Sequence, residues 1–411
     1  MTQWKPLLQI VHISDLHFCD NYDDKQKLIR EQRFWRLKAR RWFEERNVGG
    51  WHEGSLGHDS VGLEYFEQFL QDYAANEREW FAAENAEFTP QTWLVDTGDA
   101  TTFGDEQSIE MAIKRIDGWR RLLHDCPARL LYGNHDAWPG GQPVINMGIY
   151  DRAAVRQKAL VGSIAAWRDE EWLKPLVVQA PGGPRVECYG LDTVSFRFVP
   201  NTLALGETSK PALERLCAAI DSQPVPRAYR ILATHHPVVY PYEPDDIRDR
   251  GIPKMQLRKA QRVLDHLGAA PASSAATRQP YVHLFLSGHT HASYPAAALP
   301  DNVSAIHSPG LGPEQLQLVG GSLMQIRDRT RTREDSENPS GLDANFHYKQ
   351  VAGFSLRRIC TANQQFQILR FYYRDNDRTA LQLERLMFVR LPNALRYQLV
   401  ESTISRTRLS C

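Results

Sequence analysis

The stretch with the most chemistry to offer in this 411-residue chain is Gly133-Asn134-His135-Asp136. It follows the apolar run Ala128-Arg129-Leu130-Leu131-Tyr132, too short for a helix and stopped by Gly133. That spacing predicts a loop at a strand's C-terminal edge, where ligands bind in open α/β sheets. Four other segments repeat the design. Val11 to Ser14 leads into Asp15-Leu16-His17, and Trp93 to Thr97 leads into Gly98-Asp99. Arg230 to Thr234 leads into His235-His236-Pro237, and Val282 to Ser287 leads into Gly288-His289-Thr290-His291. Five strand-like runs thus end in carboxylate, amide or imidazole donors, and none ends in a thiolate. Such a set suits a pair of divalent transition ions rather than a structural zinc closed by cysteines.

In this order the blocks Asp15-x-His17, Gly98-Asp99, Gly133-Asn134-His135-Asp136, His235-His236-Pro237 and Gly288-His289-x-His291 resemble the calcineurin-like metallophosphoesterases. The resemblance runs over residues 7–325, thins between Asp20 and Pro90, and is closest to the bacterial phosphodiesterase-like members. It implies an α/β fold, a four-layer αββα sandwich with two central mixed β-sheets and a helical insertion. The expected organisation is a metallophosphoesterase domain over 1–375, a cap-like insertion at 20–92, and a C-terminal extension, 376–411, packed on the same domain.

The same resemblance implies two divalent ions, roughly 3.5–4 Å apart. A neutral ligand between them would leave their charges facing each other, so a carboxylate must bridge, and Asp99 is the candidate. Asp15, His17 and His291 would complete one shell, and Asn134, His235 and His289 the other. His289 and His291 can point the same way only on a bent loop. A shared water loses its proton near neutral pH and attacks a phosphoester in line. His135 is the expected donor to the leaving group, with Asp136 orienting it or shaping the loop; the alternative is a His135 that only hydrogen-bonds a phosphate oxygen. Manganese, iron, zinc, cobalt and nickel all suit this donor set. No tyrosine stands at a ligand position, which disfavours tyrosinate-bound iron. His236 reads as a supporting group beside a ligand, and His12 and His283 as satisfied core residues.

Composition narrows the class. Lys+Arg and Asp+Glu number 49 each, for a net charge of +0. Balanced charge argues against a protein that coats nucleic acid, while a local basic groove stays possible. The six cysteines are scattered, with no Cys-x-x-Cys spacing, as in a reducing compartment. Residues 1–6 lack the apolar core of a signal peptide, and no run of about eighteen apolar residues suggests a membrane span. The chain reads as cytoplasmic; its oligomeric state is not legible.

The elements that must position these groups follow from periodicity. Asp15 and Asp99 stand 84 positions apart, far more than in small family members. Two helices are expected between them. Lys25 to Arg46 carries Leu28, Trp35, Ala39 and Trp42 on one face and many basic residues elsewhere. Leu63 to Ala83 aligns Phe66, Phe69, Leu70, Tyr73, Trp80 and Phe81. The pair reads as a hairpin over or beside the metal edge. Ser108 to Leu123, Lys210 to Ile220 and Gln256 to Leu267 are the expected crossover helices of βαβ units. Strand-like runs at 303–306, 316–319, 322–326, 354–359 and 366–373 predict a mixed or antiparallel second sheet. Thr379 to Phe388 reads as a closing helix, and Arg327 to Asn345 as a charged loop.

Three functions compete at this stage. The first is a phosphodiesterase on a small soluble ester such as a cyclic nucleotide, favoured by the Asp15-Leu16-His17-Phe18 opening. The second is a nuclease whose basic helix tracks a backbone while Trp51 stacks bases; a phosphomonoesterase on the same site is its near neighbour. The third, a scaffold that has lost its chemistry, is opposed by a complete set of ligand positions.

Overall fold

The computed structural model describes residues 4–18, 58–59, 62–84, 88–102, 104–137, 150–194, 206–222, 228–238, 257–267, 281–289, 315–323, 325–326, 364–374, 377–390 and 395–408. In chain order the strands are β1 (Trp4–Ile13), β2 (His58–Asp59), β3 (Gln91–Asp96), β4 (Ala128–Leu130) and β5 (Leu176–Gln179). They continue with β6 (Arg185–Gly190), β7 (Gly206–Glu207), β8 (Ala228–Ala233), β9 (Leu257–Arg258) and β10 (Leu284–Ser287). The last five are β11 (Leu316–Val319), β12 (Gln325–Ile326), β13 (Gln364–Arg374), β14 (Asp377–Arg390) and β15 (Gln398–Arg408). The helices are α1 (Gly62–Glu84), α2 (Glu106–Leu122), the single turn α3 (Asn134–Ala137), α4 (Tyr150–Ser163), α5 (Asp169–Leu173), α6 (Lys210–Asp221) and α7 (Ala260–Leu267).

Two mixed sheets form the centre. One runs β15-β14-β13-β1-β3-β4, the other β11-β10-β8-β6-β5. The β1–β3 and β3–β4 pairs are parallel, while β13, β14 and β15 add antiparallel strands beside β1. In the second sheet β6, β8, β10 and β11 are parallel and β5 is antiparallel. The sheets share one core. Leu8 and Ile10 of the first belong to the same buried cluster as Ile231 and Leu284 of the second. The rings of Tyr229 and Phe371 meet across the gap, 5.7 Å between centroids. On the far side of the second sheet, Leu213 and Leu216 of α6 and Val263 of α7 bury against Leu232 and Phe285. The result is the expected four-layer arrangement.

Parallel neighbours require crossovers, and the helices supply them. α2 joins β3 to β4. Asp105 caps it, accepting from Ser108 N at 3.0 Å, and Arg120 and Arg121 lie in its last turn, where cations suit the helix dipole. α6 lies between β6 and β8, capped by Ser209 with Pro211 in its first turn. This repeated β-α-β pattern places the C-terminal ends of β1, β3, β4, β8 and β10 along one edge.

Several expectations change. α1 matches the helix expected at Leu63 to Ala83, but it lies on the outer face of the six-stranded sheet. Phe66 packs on Phe366 and on Trp119 of α2, and Tyr73 OH donates to Gln9 Oε1 at 2.6 Å. It is the crossover between β1 and β3, so this half of the insertion is a layer of the sandwich rather than a cap. The expected helix at Lys25 to Arg46 lies outside the described residues, as do 303–306, 354–359 and Arg327 to Asn345. Among the described residues the late strands do not make a sheet of their own. β11 extends the second sheet beside β10, and β13 pairs with β1. Thr379 to Phe388 is strand, not helix. Its Leu, Glu and Arg favour helix locally, yet pairing with β13 on one side and β15 on the other overrides that preference. Asp377 Oδ1, which accepts from Thr379 N, Thr379 Oγ1 and Ala380 N, shapes the β13–β14 connection instead of capping a helix. The boundary drawn at 375 falls inside this connection. α7 begins at Ala260, later than Gln256, because Leu257–Arg258 pairs with Gly206–Glu207. No helix among the described residues is long and apolar enough to cross a membrane.

Candidate metal centre

The loop after β1 is laced to the loop after β3. Asp15 N donates to Gly98 O, His17 N to Asp99 O and Phe18 N to Ala100 O, each at 2.9 Å. The lacing forces unusual backbone. Asp15, His17, Asp99 and His289 all have positive φ, at 52°, 47°, 55° and 68°. Non-glycine residues seldom adopt this region, and such conformations persist where the surrounding structure holds them for a purpose. Glycines permit the close approach. A Cβ on Gly133 would lie 2.0 Å from Asp99 Oδ1, and one on Gly288 would lie 1.7 Å from Ser14 Oγ.

Six of the seven expected ligands meet here. His235 Nε2 is 3.0 Å from Asn134 Oδ1, 3.2 Å from His289 Nδ1 and 3.4 Å from Asp99 Oδ2. His289 N donates to Asp15 Oδ2 at 3.0 Å, and Asp15 Oδ1 lies 4.0 Å from His17 Nε2. Asp15, His17 and Asp99 are fully buried. The seventh, His291, lies outside the described residues.

The donor set itself tests whether a cation belongs here. Thr97 O can only accept, so the 2.8 Å contact makes His235 Nδ1 the protonated nitrogen. In the neutral ring, Nε2 then carries a lone pair. It faces the carboxylate oxygen of Asp99 and the nitrogen of His289, beside the amide of Asn134. The lone pairs of His235 Nε2 and of Asp99 Oδ2, 3.4 Å apart in a buried space, repel unless a proton or a cation lies between them. The residues therefore fit a metal ion, and the triads Asp15–Asp99–His235 and His17–Asp99–His135 each bring one donor atom apiece within 4.8 Å of one another.

The electrostatics agree. Burial works against a charged His235, but the Asp99 carboxylate and then Asp15 outweigh it and raise the imidazole to about 9. Burial raises Asp15 to about 7, with Asp99 adding to the shift and His235 opposing it. Asp99 is itself buried, yet His235, His135 and His289 together hold it below the usual carboxylate range.

Asp136 does not touch the His135 ring in any contact among the described residues. Its carboxylate accepts from Ala100 N, Thr101 N, Thr101 Oγ1 and Gly133 N, at 2.7–3.0 Å. Of the two expectations, these are the bonds of loop shaping: Asp136 ties the β3 loop to the β4 loop. His135 N donates to Asp99 Oδ1 at 2.8 Å, and its Nδ1 bonds Thr102 O at 3.0 Å. The Asn134–Ala137 segment is one helical turn rather than an open loop. His12 bonds Thr97 and Gln367, and His283 Nδ1 accepts from Arg230 N, so both are satisfied core residues.

His236, read from the sequence as a supporting group beside a ligand, lies against two of the expected ligands. One nitrogen of His236 lies within 4.8 Å of donors on His235 and His289. Burial first, and then His289 and His235, keep it well below the usual imidazole range. The doubled histidine was the only signal available. Thr97, Thr101 and Thr102 were missed, since threonines that hold a loop leave no spacing to read.

A sequence profile of the calcineurin-like phosphoesterases matches residues 8–293. A search of curated proteins gave no significant match. Among solved structures, the chain is similar to GAP50, the anchor in the inner membrane complex of Plasmodium, at 10% identity and a TM-score of 0.44, over 99% of this chain and 90% of that one. It is also similar to the calcineurin-like phosphoesterase YfkN from Bacillus subtilis, at 10% identity and 0.36, over 99% and 92%. A phosphatase from Mycoplasma pneumoniae matches at 10% identity and 0.28, over 99% and 95%. The profile spans well over half of the chain and takes in all five strand-end motifs: this protein belongs to the calcineurin-like phosphoesterase family, and is a metal-dependent phosphoester hydrolase.

Proposed function

We propose a binuclear phosphodiesterase acting on a small soluble ester, a cyclic nucleotide or a compound like it. The observation that carries the centre is the convergence of Asn134, Asp99 and His289 on His235 Nε2. Asp99 would bridge two divalent ions drawn from manganese, iron, zinc, cobalt or nickel. Asp15, His17 and His291 would hold one ion, and Asn134, His235 and His289 the other. When bound, the ions supply Lewis-acid charge on the phosphoryl oxygens and an activated water.

The chain's own residues do the rest. Backbone strain at Asp15, His17, Asp99 and His289 sets the donors before substrate arrives, so little reorganisation is needed during the reaction. His135 stands beside His17, 4.7 Å between ring centroids, and offers the proton to the leaving oxygen. Because its Nδ1–H is engaged by Thr102 O, only the imidazolium can also give a proton from Nε2. Asp136 keeps the β3 and β4 loops in register beneath it. The small-ester preference is supported by the Asp15-Leu16-His17-Phe18 opening and by the balanced charge. Cys126, Cys188 and Cys217 are free thiols, which fits a cytoplasmic setting.

The test is hydrolysis of bis(p-nitrophenyl) phosphate by apo protein reloaded with each of the five metals. Turnover with at least one is expected; inactivity with all five rejects the proposal. Cyclic mononucleotides should then be cleaved in preference to oligonucleotides and phosphomonoesters. Preferred cleavage of single strands, with binding that falls steeply as salt rises, would instead mark a nuclease.

A further inference from the structure

The assignment above gives the ion beside Asn134 two imidazoles. A third ring sits against them. His236 is 1% exposed, its centroid 4.3 Å from that of His289 and 4.8 Å from that of His235. It is fixed on every side. Its Nδ1 bonds Thr193 Oγ1 at 3.1 Å, and the same oxygen accepts from His236 N at 3.2 Å. Its carbonyl accepts from Thr234 Oγ1 at 2.9 Å. The β7 backbone closes over the ring, where a Cβ on Gly206 would fall 2.4 Å from His236 Cγ. The remaining nitrogen, Nε2, is buried and has no hydrogen-bond partner among the described residues. Holding a ring this firmly while leaving a buried nitrogen unpaired is costly, and the cost needs an occupant to offset it.

We propose that His236 is a further donor to the ion held by Asn134, His235 and His289, so that three imidazoles face that position. Thr193 is then a positioning residue: with Nδ1–H given to Thr193 Oγ1, the lone pair stays on Nε2, as second-shell partners of metal-bound histidines arrange it. Three imidazoles bias this position towards zinc, nickel or cobalt over manganese. The inference rests on the binuclear reading above.

The experiment counts imidazoles on the ion. Full-length His17→Ala, which removes a donor of the other ion, is loaded with one equivalent of copper(II) and examined by pulsed EPR. Three coordinated imidazoles are expected, falling to two in His17→Ala/His236→Ala, with His236→Asn replacing the alanine should that chain fail to fold. Zinc affinity should fall at least about tenfold with His236→Ala, and manganese affinity less. Two imidazoles in His17→Ala, unchanged on removing His236, would overturn the proposal. Failure of the centre itself reads differently: Asp99→Asn and Asn134→Ala would then leave metal content at its wild-type value.

Discussion

At the strand-end edge, Asp15, His17, Asp99 and His289 are buried, polar and bent into left-handed backbone. On the outer face of the six-stranded sheet, Phe66, Phe69, Phe366, Phe388 and Tyr397 gather with none of that strain. Their ring centroids lie 4.9 Å apart for Phe66–Phe366 and Phe69–Phe388, and 5.1 Å for Phe366–Phe388, within the favourable range for aromatic pairs. The aromatic layer stabilises the fold by removing apolar area from water. The edge does the reverse: it collects groups that cost free energy to bury and relies on the packed layers to hold them. Stability and chemistry should therefore separate under mutation.

Asp99→Asn should have the largest effect. It keeps the acceptor for His135 N but removes the charge between the proposed ions. Metal content measured by plasma emission should fall, and the rate should drop more than about 10³-fold. A variant that keeps both ions would show that Asp99 does not bridge.

His135→Ala should keep its metals yet lose about 10²–10⁴-fold in rate with a poor leaving group. With p-nitrophenol, which needs no proton, the loss should be much smaller. Equal losses for both leaving groups would remove the acid role and leave His135 as a phosphate contact.

Phe66→Ala acts on the other region. It should cost about 3–5 kcal/mol in chemical denaturation while the folded fraction keeps its metal content and rate. Loss of metal with unchanged stability would erase the distinction between layer and edge.

The smallest effect is in pH. His235 is raised from 6.5 to about 9 and Asp15 from 3.8 to about 7 in the folded chain. Both groups hold a proton more tightly folded than unfolded, so their contribution is lost as pH rises through those values. Metal-free protein should thus melt lower at pH 9 than at pH 6. Bound metal, which replaces the His235 proton, should narrow the gap. A metal-free protein that melts higher at pH 9 would contradict this electrostatic picture.

The five blocks were legible because each is local: a strand-length apolar run followed at once by its donors. The crossover helices were legible for a like reason, since Ile109, Ile116, Leu213 and Leu216 recur at helical spacing and are buried. What was missed depends on distant partners. Leu381 to Phe388 has the composition of a helix and becomes a strand only because β13 and β15 flank it. For Asp136 the sequence left two roles open, orienting His135 or shaping the loop, and what decides between them, its donors at Ala100 and Thr101, comes from another loop. α1 was recognised as a helix, yet its place on the sheet face follows from contacts with Phe366 and Trp119 far along the chain. The positive φ values arise from lacing between loops, and no spacing announces them.

The most direct test is anomalous diffraction from crystals soaked in manganese. Two peaks, roughly 3.5–4 Å apart and flanking the Asp99 carboxylate, are expected. A single peak, or peaks away from Asp99 and His235, would contradict the binuclear centre.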